Sequence, residues 1–154
     1  MKHDTATPYI AAFVIFRKGN KAAFVLRQNT NWGDGYYGLP SGKVEHGENF
    51  LAAAVREAKE ETGADIELTD LRYLLTAHRK SGTTLGDADD SSWIDIIFEA
   101  ERWSGELYNA EPHKHASLEW FDLNKLPDNV VPPVRYYLEQ ITAGRHYAEY
   151  GWKE

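Results

Sequence analysis

The segment Gly42 to Ala64, GKVEHGENFLAAAVREAKEETGA, constrains this chain more than any other stretch. Leu51, Ala54, Val55 and Ala58 recur at the spacing of one helix face, and Gly63 stands where a left-handed cap is wanted, so the pattern predicts a helix over Asn49 to Thr62. With Leu51 as zero and about 100° per residue, Glu57, Glu60 and Glu61 fall at roughly 240°, 180° and 280°, on a face turned away from the apolar one. Like charges at these spacings cost about 0.2–0.5 kcal/mol per pair, and near the carboxyl end they also oppose the helix dipole. Either Arg56 and Lys59 soften an acidic face that water solvates, or the three carboxylates hold a hard cation, Mg²⁺ or Mn²⁺, whose charge cancels their repulsion.

The remainder of the chain supplies a sheet for such a helix to cover. Ile10 to Phe16 and Ala22 to Leu26 are apolar runs joined across Gly19-Asn20, a hairpin signal. After a loop over Asn29 to Pro40 and the helix, strands are expected within Ile66 to His78, Trp93 to Ala100 and Leu118 to Phe121. Pro132-Pro133 opens a second helix, from about Val134 to Thr142. Strands before and after the helices without strict alternation predict an α/β (α+β) fold, a mixed sheet with helices on its faces. At 154 residues this is one domain, residues 1–154. Tyr147 to Trp152 is expected to strap across the surface or to form a dimer contact, leaving monomer and homodimer both open.

Composition removes several classes of function. The absence of cysteine excludes a disulfide frame, a thiolate nucleophile and a zinc-thiolate cluster. A net charge of -7 has the wrong sign for gripping a long nucleic acid through its phosphates. No apolar run is long enough to span a bilayer, and Met1 to Pro8 does not read as an export signal, so no membrane association and a cytoplasmic location are expected.

Gly42, Glu48, Arg56, Glu57, Glu60, Glu61 and Gly63, with Ala58 and Ala64 between and after them, resemble the signature of the Nudix hydrolases, with all seven fixed positions occupied. The residues suit those positions physically. Gly42 permits a tight turn and close approach to a ligand. Glu48 favours the positive helix start and is within reach of Arg56, whose planar fork orients carboxylates. Gly63 ends the helix so that the chain can enter the next strand.

The resemblance implies a Nudix-type α/β/α sandwich around a mixed β-sheet, with the box at 42–64. It also implies MutT-like hydrolysis of a nucleoside diphosphate linked to another moiety. Glu57, Glu60 and Glu61 would carry Mg²⁺, with Mn²⁺ as the substitute, and one carboxylate would orient or deprotonate water. A pyrophosphate is itself anionic, so an anionic site holds it only through bridging cations. Leu39-Pro40-Ser41-Gly42-Lys43 resembles the family's Leu-Pro-Gly-Gly-Lys approach to the box, which assigns the Ser41 carbonyl as a metal ligand although serine replaces the usual glycine. Trp103-Ser104-Gly105-Glu106 followed by Glu111 resembles the part of triphosphate-cleaving members that supplies a further glutamate near the metals, which assigns Glu111. The implied substrate is a nucleoside triphosphate, oxidised purine forms included, giving the monophosphate and pyrophosphate. Dinucleotide polyphosphates, ADP-ribose and nucleotide sugars are alternatives. A catalytically silent nucleotide-sensing module is an alternative of another class, but its mark would be a damaged box, and this box is intact.

Outside the box, Lys114 is a candidate cation facing phosphate, while His113 and His115 beside it offer, with Glu111, a transition-metal alternative. Trp32, Tyr36, Tyr37 and Trp93 lie near loops where an aromatic plane stacks on a base, and Asn129 has the donor and acceptor to read a base edge. Packing and turn formation are the structural alternatives for these residues. Asp87, Asp89 and Asp90 form an acidic loop, either solvated or a lid. From Gly42 to Asp70 eight acids face three bases, so much of the net charge belongs to a site that divalent cations complete.

Overall fold

A computed structural model of the chain describes residues 3–81, 85 and 91–152; the readings for Asp87, Asp89 and Asp90 lie outside them. β1 (Tyr9–Lys18) and β2 (Lys21–Arg27) form the expected hairpin, with Gly19 at φ 59° in the turn. The two strands pair only near the turn, at Arg17↔Ala22 and Lys18↔Lys21, and then part. β2 continues against β3 (Tyr37–Gly38) and β7 (His115–Asp122). β1 runs antiparallel to β4 (Ser41–Lys43) and parallel to β6 (Ser92–Ala100), in register from Tyr9↔Trp93 to Phe16↔Ala100. β5 (Leu71–Lys80) is antiparallel to β6, and β8 (Tyr147–Tyr150) lies parallel on its outer edge. The order is β3-β2-β1-β6-β5-β8, with β4 on β1 and β7 on β2, a mixed sheet as expected.

The alternation of side chains along β1 and β6 builds two cores. Ala12, Val14, Phe16, Ile96 and Phe98 point to one face, where α1 (Phe50–Thr62) covers them with Ala53, Ala54 and Ala58. Alanines bring the helix axis close to the strands. Ile15, Leu75, Ala77 and Ile97 point to the other face, covered by Val134 and Tyr137 of α2 (Pro132–Thr142). Helix, sheet and helix make the sandwich.

Three expectations are corrected. Leu51 is 37% exposed, and the buried line of α1 runs through Ala54, Ala58 and Glu61. The glutamates therefore do not share an outward face: Glu61 is buried and only Glu60 is half exposed. The strand expected within Ile66 to His78 is β5, which starts at Leu71 after a single 3-10 turn over Leu68–Asp70. Tyr147 to Trp152 joins the sheet as β8, and Trp152 Nε1 donates to the His78 carbonyl at 2.9 Å.

Candidate active site

Helix α1 begins at Asn49, whose side chain accepts from the Ala52 N–H at 2.8 Å. Glu48, one residue earlier, meets Arg56 in a two-bond fork, Nε to Oε2 at 2.9 Å and Nη2 to Oε1 at 2.8 Å. That guanidinium holds the Glu48 carboxyl down to about 2, and Glu48 in turn pushes Arg56 up. Arg56 also donates to Glu57 Oε1 at 2.8 Å, Glu60 Oε2 at 3.3 Å and the Lys43 carbonyl at 3.0 Å. One planar side chain thus fixes the helix start, β4 and two of the candidate carboxylates.

Glu57 crosses onto β4. A Cβ on Gly42 would stand 2.0–2.3 Å from the Glu57 carboxyl atoms. Gly42 is extended and paired with Ala12, so its glycine is required by the carboxylate lying over it and not by a turn. Burial, with Glu61 and Glu60 adding repulsion, raises Glu57 to about 7 against the pull of Arg56.

Glu61 is held on both oxygens. The Ser41 N–H donates to Oε1 at 2.6 Å, and His115 Nε2 lies 3.0 Å from Oε2. Burial raises its pKa most, and His115 and Ser41 oppose that shift. Ser41 is not among the positive-φ residues, so serine carries no backbone strain there. Glu111 lies beside this group, with Oε2 3.5 Å from Lys114 Nζ and Oε1 buried without a partner.

The carboxylates open on a cavity of about 1060 Å³, lined by Ser41, Gly42, Glu57 and Glu61 on one wall. Arg27, Lys43, Arg79 and Lys114 also line it, a set of cations suited to a polyphosphate. Arg27 is stacked 5.0 Å over Trp32 and tied to the Trp32 carbonyl at 2.9 Å. Arg79 lies 4.9 Å over Trp93 and is bound to the fully buried Asp95 at 2.8 Å, which also accepts from the Tyr137 hydroxyl at 2.6 Å.

The cavity gathers Ser41, Glu57, Glu61, Lys114, Trp32 and Trp93 from the sequence-based candidates. Glu60 and Glu111 are not among the residues that line it. Tyr37 and Asn129 do not line it: Tyr37 donates its hydroxyl to Glu119 and packs edge-on against Phe121, while Asn129 donates to the Gly35 carbonyl at 2.9 Å. His115 turns from the proposed transition-metal group into Glu61. Arg27, Arg79 and Asp95 escaped the sequence reading. The available signal was Asp95 itself, a charge inside the apolar run Trp93 to Phe98.

The donor set fits a hard divalent cation: Glu57 and Glu61 are oxygen ligands whose pKa values are raised by burial and by neighbouring carboxylates, which a cation relieves. Among the described residues no three acidic or histidine side chains already converge as an ion cage, since Glu57 leans on Arg56 and Glu61 on Ser41 and His115.

Residues 7–141 match the family model described as NUDIX domain. The chain is 36% identical over 121 residues to the ADP-ribose pyrophosphatase of Methanocaldococcus jannaschii, covering 78% of this chain and 65% of that protein. It is 29% identical to the 8-oxo-dGDP phosphatase NUDT18 of Danio rerio, over 94% of this chain and 40% of that one. It thus spans less than two thirds of the length of either relative. The MutT NUDIX hydrolase structure from Burkholderia pseudomallei superposes with TM-score 0.77 at 28% identity, over 87% of this chain and 98% of that one.

Proposed function

The chain belongs to the NUDIX family, and on that premise we propose that it hydrolyses a pyrophosphate linkage in a nucleoside diphosphate compound with the aid of Mg²⁺ or Mn²⁺. The observation that carries this reading is the Glu57 and Glu61 pair at the wall of a cavity that also presents Arg27, Lys43, Arg79 and Lys114. Glu57, Glu61 and the Ser41 carbonyl are the groups that would hold the cation, with Glu60 and Glu111 as further candidate carboxylates. When bound, the cation neutralises and polarises the phosphoryl oxygens.

The protein's own groups supply the rest. Arg56 holds Glu57 in place, and one of the carboxylates orients or deprotonates the attacking water. Lys114 and Arg27 face the phosphates, and Trp32 and Trp93 offer planes for a base. The substrate proposed first is a nucleoside triphosphate, oxidised purine forms included, cleaved to monophosphate and pyrophosphate. ADP-ribose is the second reading, favoured by the name of the archaeal relative. The charge of -7 argues against long nucleic acids, and among the described residues no helix is long and apolar enough to cross a membrane.

A nucleotide panel assayed with Mg²⁺ should release phosphate or pyrophosphate, and kcat/KM across it ranks the substrates. Glu61→Gln should lose most activity, on the order of a hundredfold or more, while remaining folded. Activity left intact by both Glu57→Gln and Glu61→Gln would sink the reading.

A further inference from the structure

The segment 108–115 closes on the end of α1 through backbone and side chains together. The Tyr108 and Ala110 N–H groups donate to the carbonyls of Thr62 and Glu61 at 3.0 and 3.1 Å. The turn then folds over the Glu111 carbonyl, which accepts from both the Lys114 and His115 N–H groups at 3.0 Å. Asn109 Nδ2 grips the His115 carbonyl at 2.8 Å. These bonds fix the backbone of His115 against the helix, and its ring, 4% exposed, reaches Glu61.

We propose that His115 is a positioning residue that clamps the Glu61 carboxylate through an Nε2–H donor, so that Glu61 presents its remaining lone pairs to the cavity. This rests on the reading of Glu61 as a cation-holding carboxylate. An ionised carboxylate only accepts, so the hydrogen of a neutral His115 sits on Nε2. Nδ1 is then a bare acceptor, which agrees with its being buried and without a partner. The other Glu61 oxygen takes the Ser41 N–H, so the carboxylate plane is set by two donors from different elements, β4 and β7. Each carboxylate oxygen keeps a second lone pair, and those are free for a cation. A carboxylate fixed in this way does not swing when a cation binds, and loss of such a supporting group costs about 10–100-fold in metal affinity or activity.

The experiment reads Mn²⁺ affinity by electron paramagnetic resonance without substrate, alongside kcat and KM with Mg²⁺. His115→Phe keeps the ring volume and removes the donor; it should weaken Mn²⁺ binding by about 10–100-fold and lower kcat more than it raises KM. His115→Gln, whose amide nitrogen reaches the place of Nε2, should recover most of that loss. If the phenylalanine variant does not fold, His115→Asn, polar but too short to reach Glu61, should show the same weakening. A long-range ¹H–¹⁵N spectrum of the native protein should show the hydrogen of His115 on Nε2. Unchanged Mn²⁺ affinity in a folded Phe or Asn variant, or a hydrogen on Nδ1 with none on Nε2, would overturn the clamp. A native protein that neither binds Mn²⁺ nor hydrolyses any nucleotide would instead overturn the proposed function.

Discussion

The three atoms nearest to a methyl group on Gly42 would all belong to the far end of the Glu57 side chain, 2.0–2.3 Å away. Gly42→Ala should therefore fold with nearly native stability while pushing Glu57 off β4 and away from Arg56. Activity should fall by on the order of a hundredfold, since a displacement of about 1 Å at a reacting centre costs that much. Unchanged kcat/KM with unchanged melting temperature would show that Glu57 does not work from this position. The box spacing marked Gly42 and Glu57 separately. That one occupies the space the other lacks follows from β4 pairing with β1 beneath the helix, a contact between residues fifteen positions apart. His115 and Arg79 were illegible for the same reason: each acts through a partner on another strand or helix.

Helix α1 carries legible ends and an illegible middle. Gly63 caps it where the sequence places it, at φ 76° with its N–H on the Lys59 carbonyl, and Asn49, expected as the first helical residue, is the N-cap. The buried face differs from the apolar stripe, because periodicity ranks residues by hydropathy and cannot tell that Glu61 is buried at the cavity while Leu51 stays 37% exposed. Gly63 does more than cap. An added Cβ there would stand 2.1 Å from the Tyr108 ring, the residue that starts the segment holding His115. Gly63→Ala should cost roughly 1–2 kcal/mol for the left-handed conformation alone, with displacement of Tyr108 adding to it. Urea denaturation measures the total. A loss well under 1 kcal/mol would mean that the helix end and the 108–115 segment yield freely.

Of the eight acids between Gly42 and Asp70, the fold buries Glu61 and largely covers Glu57. Glu57 releases its proton at about 7 in the folded protein against 4.5 when exposed, so the folded state holds a proton that the unfolded chain has lost across that window. Stability without divalent cations should fall as pH climbs from about 4.5 to 7, and Glu57→Gln should lessen the slope, the part left belonging to Glu61, which burial raises as well. Glu48 has the opposite sign: held down to about 2, its contribution is complete above its ordinary value of 4.5 and is lost on acidification, so it does not interfere between pH 5 and 8. Adding Mg²⁺ should raise the melting temperature more at pH 8 than at pH 5, because the cation competes with the proton on Glu57. Thermal denaturation in chelator and in Mg²⁺ at both values checks the pair of effects, and a Mg²⁺ shift independent of pH would remove Glu57 from the cation site. By itself the sequence determined the family, the helix with its glycine cap and the hairpin, and it singled out the candidate carboxylates, because these are read from local spacing and backbone preference. Only the tertiary structure decided which carboxylates face the cavity, which donors hold them and which arginines share it, because burial and hydrogen bonding at the site arise between strands and helices far apart in the chain.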